Sequence, residues 1–345
     1  MSLRSEINEQ PSVIRRLLDS QAGSAQRVAA RVREARVKYA FVAARGTSDN
    51  AALYAKYLWG AANRLPVALA APSLFSVYRQ PPCLQGSLAV GISQSGQSPD
   101  IVAVLSEARR QGALTLAITN DPSAPLAQAC EFVLDLCAGA ETAIAATKTY
   151  TAELMAIAMV SAALDEDRSQ MEVLRSVPGL VEEALSSEDD VARAAERLSA
   201  MNQCVVLGRG FNYATAYEWS LKLKELAYVV AAPYSSADFL HGPIAMVEQG
   251  FPVLAVAPAG AVQRDMVPLL LRLHREHRAE LLVISNDEGV LAASQIPLWL
   301  PIDLPEWISP MVSIVPAQLF CYYLTSAKGY NPEEPRGLSK VTLTH

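Results

Sequence analysis

No CxxC pair, no P-loop and no stretch of 18 consecutive apolar residues occurs in the 345 residues, and histidine appears only four times. So few histidines argue against a histidine-built metal centre, and no cofactor is expected. The five cysteines, Cys83, Cys130, Cys137, Cys204 and Cys321, are odd in number and scattered. That usage suits buried thiols in a reducing cytoplasm and excludes a disulfide framework. Glu6 and Glu9 interrupt the first ten residues, so the amino terminus does not read as a signal peptide. Basic residues are in deficit, 29 against 35 acidic, for a net charge of −6. That balance speaks against a nucleic-acid or anionic-membrane surface, while leaving room for a local pocket that takes a small anion. What is present, 51% hydrophobic and 19% charged residues, is the composition of a packed globular protein. The length exceeds what one core usually holds, so two domains are expected.

Short β-rich runs alternate with amphipathic helical stretches, the pattern of βαβ units in a parallel sheet covered by helices on both faces. Strands are predicted at 37–44, 67–71, 88–92, 114–119 and 132–136, then at 204–207, 253–257, 281–285 and 298–300. Helices are predicted near 12–34, 48–62, 99–111 and 148–164. The second set replays the first: Leu116-Ala117-Ile118-Thr119-Asn120-Asp121 resembles Leu282-Val283-Ile284-Ser285-Asn286-Asp287, and Gly46 is matched with Gly208. This reads as an internal duplication. The fold class is α/β, two tandem doubly wound parallel-sheet domains of flavodoxin-like type. The first domain spans 1–195 and ends in charged, exposed linker helices over 164–197. The second spans 196–330, and a tail occupies 331–345.

The sharpest local signal is Ser93-Gln94-Ser95-Gly96-Gln97-Ser98-Pro99-Asp100, which follows a strand and opens a helix with Ser98 at the N-cap and Pro99 at the first helical position. Hydroxyls, an amide and unpaired helix-start N–H groups at the carboxyl end of a strand suit a phosphate dianion. Gly46-Thr47-Ser48 stands at an equivalent turn. Serine-rich turns also serve as helix caps and nothing more. Gly208-Arg209-Gly210 lacks the third glycine of a dinucleotide fingerprint, since Tyr213 stands in its place. Glu218, Lys222 and Glu225 share one helix face, followed by His241-Gly242-Pro243. Such a stripe is either a solvated ion-pair face or a set of acid and base groups.

These motifs, together with Glu6-Ile7-Asn8-Glu9-Gln10-Pro11, Glu141 through Thr147-Lys148, Leu221-Lys222-Leu223-Lys224-Glu225 and Pro335-Arg336-Gly337-Leu338-Ser339-Lys340, resemble the tandem sugar-isomerase (SIS) half of glucosamine-6-phosphate synthase. The likeness runs in order from residue 6 to about residue 342. The resemblance implies that Thr47, Ser48, Ser93, Gln94, Ser95 and Ser98 hold a sugar phosphate, with the backbone near Ala145 and Thr147 touching the sugar. It implies that Glu225 moves the proton between C1 and C2, His241 opens the ring, Lys340 forms an imine with the ketose, and Lys222 assists the enolamine. The histidine would come from a partner subunit, which implies a homodimer. The Lys340 segment, with Pro332, Pro335 and Gly337, is expected to be an irregular tail. Its amine would be kept neutral by desolvation beside another ammonium group.

Two departures stand out. Ala146 replaces a serine of the synthase pattern, and Arg45-Gly46-Thr47-Ser48-Asp49-Asn50 looks more like stand-alone deaminases. The sequence begins where the isomerase half begins and has no cysteine before Cys83, so glutamine is not expected to supply ammonia. The resemblance therefore implies a deaminase, converting glucosamine 6-phosphate to fructose 6-phosphate plus ammonia in the cytoplasm, without nucleic acid or membrane as partner. Other readings are a galactosamine-6-phosphate deaminase, a fructosamine-6-phosphate deglycase, an ammonia-dependent isomerase of the synthase type, and a non-catalytic sugar-phosphate sensor.

Overall fold

Parallel strands buried on both faces need no polar alternation, and runs such as Ser87–Ile92 and Leu114–Thr119 bury every residue. In the computed structural model, which describes residues 2–165 and 168–340, ten strands form two sheets. They are β1 (Tyr39–Ala43), β2 (Val67–Leu69), β3 (Ser87–Ile92), β4 (Leu114–Thr119) and β5 (Phe132–Asp135), then β6 (Gln203–Gly208), β7 (Val230–Ser235), β8 (Pro252–Val256), β9 (Glu280–Ser285) and β10 (Ile296–Trp299). All pairings are parallel, in the orders β2-β1-β3-β4-β5 and β10-β9-β8-β6-β7. Read from the other edge, the second order is the first repeated. Both are the flavodoxin-like order, in which ligands bind beyond the carboxyl ends of the strands.

The duplication extends to register. Phe41 pairs with Ala89 and Val205 with Val253, a constant separation of 164 residues (41 to 205, 89 to 253). Gly46 therefore corresponds to Gly210 and not to Gly208, and both adopt positive φ, 55° and 59°. The asparagine after the fourth strand bonds loop backbone in both copies, through different loops. Asn120 Oδ1 accepts from Ala138 N (2.9 Å) and its Nδ2 donates to Gly139 O (2.7 Å); Asn286 Oδ1 accepts from Ala259 N (2.7 Å) and its Nδ2 donates to Ile302 O (3.1 Å). Asn120 thus ties down the loop after β5, whereas Asn286 bridges the loops after β8 and β10.

The chain divides into two compact units. The first unit comprises Glu9–Glu141, Lys148–Ser176 and the tail from Ser339; the second comprises the residues up to Asn8, Thr142–Thr147 and Val177–Leu338. In the first unit Trp59 and Tyr150 are fully buried, and in the second Trp219 packs edge-on against Phe320 (5.7 Å). The helix Ser309–Ala327 is almost wholly buried. The stretch Glu306–Ala327 is long and apolar enough to cross a membrane, but 89% of its most apolar window lies inside the protein. Two expectations need correction. The charged segment 164–197 is not merely exposed: Leu174, Val177, Val181, Val191 and Ala195 point inward, because its charges lie on one face of amphipathic helices. The thiols are not all buried either, since Cys83 is exposed and Cys137 half-buried.

Candidate active site

The loop between β3 and the helix Pro99–Arg110 is shaped by its own serines. Gly96 has φ 63°, and a Cβ there would lie 2.6 Å from Ala124 Cβ, so only glycine fits. The Gly96 amide donates to Ser93 O and Ser93 Oγ (both 3.2 Å), and the Gln97 amide donates to Ser95 Oγ (3.3 Å). A hydroxyl that accepts from the loop keeps its own O–H to donate, which is what an anion asks of it. Ser93 is buried, while Gln94, Ser95 and Ser98 are half-buried. Ser98 and Pro99 take the N-cap and first helical positions as expected, but the Ser98 side chain makes no capping bond. Its hydroxyl is thus not spent on the helix.

At the neighbouring turn, Gly46 precedes the helix Thr47–Asn63. Thr47 is half-buried, and the buried Ser48 hydroxyl donates to Glu153 Oε1 (2.7 Å) on the helix Lys148–Asp165. Ser48 therefore anchors its helix, and a phosphate would have to draw that proton away. The two turns are linked by Arg45, whose Nε and Nη2 both lie 2.8 Å from Oδ2 of the buried Asp100. Arg45 remains half-exposed beside the loop, and its pairing with Asp100 could not be read from the sequence motifs.

In the second unit the helix Tyr213–Leu226 carries the charged stripe, and it is not a solvated face. Lys222 and Glu218 are buried and Glu225 is partly exposed. Lys222 Nζ lies 2.5 Å from Glu225 Oε2 and 3.3 Å from Glu218 Oε1. Burial by itself would depress the Lys222 amine, but the charges and hydrogen bonds of Glu218 and Glu225 outweigh it and raise the amine above its usual range. Lys222 is thus an ammonium ion at neutral pH, able to donate protons and unable to act as a nucleophile. His241 follows the short helix Ser236–Leu240 with its imidazole exposed, between the exposed Leu240 and Met246.

The segment Thr142–Thr147, with Ala145 and Thr147 buried, belongs to the second unit. The amides of Thr142 (2.5 Å) and Ala143 (3.2 Å) donate to the buried carboxylate of Glu6, and Gln318 Nε2 donates to Thr147 O (3.4 Å). In the first unit Lys148 Nζ lies 2.7 Å from both Glu9 Oε2 and Ala140 O. The amino-terminal motif thus serves to hold the two ends of the 141–148 loop.

The tail 331–340 has no helix or strand, as expected. Arg336 stacks on Tyr228 (3.7 Å to the ring centre), and its amide donates to the Tyr228 hydroxyl (2.9 Å). Lys340 Nζ lies 2.7 Å from Oε2 of the buried Glu141, whose carboxylate also accepts from Thr149 N (3.1 Å) and Thr149 Oγ1 (2.9 Å). A carboxylate thus lies beside the Lys340 amine, where the resemblance implied an ammonium group. Glu141 lies 199 residues before Lys340, and no local spacing rule could have paired them. Among the described residues no group of three or more His, Cys, Asp or Glu side chains is placed to hold a metal ion.

A repeated doubly wound sheet, a serine loop at a helix start and a buried carboxylate–ammonium array place the chain in the class of tandem flavodoxin-like α/β proteins. The SIS domain model matches the chain twice, over residues 35–163 and 197–327, and the chain belongs to the SIS-domain family. Among its relatives, the isomerizing glutamine–fructose-6-phosphate aminotransferase of Pyrococcus horikoshii is 33% identical over 345 residues, covering 97% of this chain and 56% of that protein. The chain spans about half the length of the curated relatives it matches. The C-terminal domain of glucosamine-fructose-6-phosphate aminotransferase from Francisella tularensis superposes with a TM-score of 0.85 at 27% identity, covering 96% of this chain and 98% of that one. Glucosamine-6-phosphate deaminase from Thermotoga maritima shares the fold over the full length of both chains, with a TM-score of 0.79 at 20% identity.

Proposed function

We propose that the chain interconverts a hexosamine 6-phosphate and a ketohexose 6-phosphate, and that its reaction is glucosamine 6-phosphate plus water giving fructose 6-phosphate plus ammonia. The observation that carries this reading is the buried Lys222 ammonium held between Glu218 and Glu225. A carboxylate held in place beside a fixed cation is positioned to take a proton next to a carbonyl or imine, and the cation is positioned to meet the negative charge that develops there.

The Ser93–Ser98 loop takes the phosphate, with Ser95 and Ser98 donating to it. His241 moves the proton that opens the pyranose ring. Glu225 takes the C2 proton of the open aldose amine and returns it to C1, converting the amine at C2 into an imine, while Lys222 steadies the negative charge of the intermediate. Lys340 leaves its ion pair with Glu141 to attack C2, and its nitrogen replaces ammonia on the imine, the lysine proton departing with the ammonia as ammonium. Water then hydrolyses the lysine imine, releasing the ketose and restoring the amine. The exposed His241, flanked by Leu240 and Met246, suits a homodimer in which each copy presents its histidine to the other, and the cytoplasm is the proposed compartment.

The test is ammonia release from a panel of hexosamine 6-phosphates. Glucosamine 6-phosphate should give equal amounts of ammonia and fructose 6-phosphate, and Glu225→Gln should lower the rate roughly 10²–10⁴-fold with binding retained. Turnover of galactosamine 6-phosphate alone, or of a fructosamine 6-phosphate, would move the assignment to those substrates. Binding with no turnover of any sugar would make the chain a sensor.

A further inference from the structure

The second half contains a residue-by-residue counterpart of the serine loop. Ser93 N donates to Ile118 O (3.1 Å), and Ala257 N donates to Ile284 O (3.0 Å). From that shared anchor, Ser93-Gln94-Ser95-Gly96-Gln97-Ser98 corresponds to Ala257-Pro258-Ala259-Gly260-Ala261-Val262, and the next helices begin at Pro99 and Gln263, again 164 residues apart (99 to 263). Every polar side chain of the first copy is replaced by an apolar one, and only the glycine is kept. Loss of binding groups alone would leave an empty crevice over the start of the 13-residue helix Gln263–Arg275.

The crevice is filled by a carboxylate of the same unit. Glu306 Oε2 accepts from Ala261 N (2.7 Å). A Cβ at Gly260 would lie 2.3 Å from Glu306 Oε2 and 2.4 Å from its Cδ, so the glycine is retained for the carboxylate to lie against the loop backbone. Gly210, the counterpart of Gly46, comes within 4.0 Å of Glu306 Oε1 by the same measure. Glu306 thus lies against the counterparts of both turns that bracket the crevice in the first unit. It stands three residues before the helix Ser309–Ala327, as Ala145 stands three before Lys148–Asp165.

We propose that Glu306 is a built-in anion which occupies the second copy of the phosphate loop, so that the chain offers one sugar-phosphate site and not two. The reasoning rests on the assignment of phosphate to the Ser93–Ser98 loop, and adds that the ancestral loop chemistry survives in the second copy as a backbone nest whose ligand is now supplied by the chain. Backbone N–H groups at a helix start favour negative charge, and a tethered carboxylate at high effective concentration outcompetes any free anion.

Chemical rescue tests it. Glu306→Ala should lower Tm by roughly 3–6 °C, the shift expected for a charged hydrogen bond in a protein of this size. Sodium formate at tens of millimolar should restore at least half of that loss, whereas sodium chloride at equal ionic strength should not, and neither should move the wild type. Glu306→Gln keeps the shape and an acceptor for Ala261 N but removes the charge, so a smaller loss without rescue is expected. This variant also covers failure of the alanine form to fold. Glu306→Gln as stable as the wild type, or chloride rescuing Glu306→Ala as well as formate, would overturn the proposal. The underlying phosphate assignment is read separately. Stabilisation of the wild type by inorganic phosphate should vanish in Ser95→Ala/Ser98→Ala, and its persistence would sink that assignment while leaving the formate result to stand alone.

Discussion

A single buried ammonium decides how the charged helix of the second unit behaves. Lys222 is paired on one side with Glu218, which has no exposed side-chain surface, so removing the amine leaves that carboxylate without its cation in a dry setting. Lys222→Met should therefore destabilise the protein by about 3–5 kcal/mol, measured by denaturant unfolding at neutral pH. The pH dependence follows from the raised Lys222 value. The contribution is fully present below the ordinary lysine value of 10.5 and is lost as pH rises through the higher folded value. The gap between wild type and Lys222→Met should consequently be flat across neutral pH and close only above about 10.5. A gap that closes near pH 7 would mean that the amine is neutral there and that its carboxylate partners do not control it. The spacing of Glu218, Lys222 and Glu225 was legible in the sequence, but their burial was not, because helix periodicity puts charges on a common face without saying what covers it.

At the scale of the element, the β3 strand, its serine loop and the helix Pro99–Arg110 form one strand–turn–helix unit, to which the proposed function assigns the phosphate. Ser95→Ala combined with Ser98→Ala should raise KM for the sugar phosphate more than it lowers kcat, since the phosphate is held equally before and during reaction. A fall in kcat with KM unchanged would place the phosphate elsewhere. The strand–turn–helix geometry of this unit could be read from sequence because each signal is local: an apolar run, a glycine that must turn, a proline at the first helical position. Where the signal was not local, the reading failed. Strand β7, Val230-Ala231-Ala232-Pro233-Tyr234-Ser235, went unrecognised because alanine and proline are poor strand formers, yet an edge strand tolerates the missing N–H of Pro233. The pairing of Glu141 with Lys340 escaped for another reason, since only the folded chain brings together residues so far apart in sequence.

At the scale of the whole molecule, the reaction depends on which lysine is nucleophilic. Lys222 is held cationic between Glu218 and Glu225, and Lys340, the proposed nucleophile, is ion-paired with Glu141 at 2.7 Å. Borohydride added during turnover with fructose 6-phosphate should fix a secondary amine on Lys340, identified by peptide mass, and Lys340→Arg should abolish it. Adduct formation on Lys222 would reverse the two roles. The duplication, legible from the Thr119-Asn120-Asp121 and Ser285-Asn286-Asp287 repeats, gives each unit its own sheet, and each unit also carries buried cysteine at positions unrelated by the repeat. Burial pushes the Cys130 thiol up to about 12 in the first unit, and also raises Cys204 and Cys321 in the second. These three thiols can meet a reagent only when the unit around them opens. A thiol-specific dye should accordingly label Cys83 at once and Cys137 more slowly. Later labelling of Cys130 then times the opening of the first unit, and labelling of Cys204 or Cys321 times that of the second. The native cysteines thus form a pair of clocks, with no engineered label needed to learn which half of the duplicated protein gives way first.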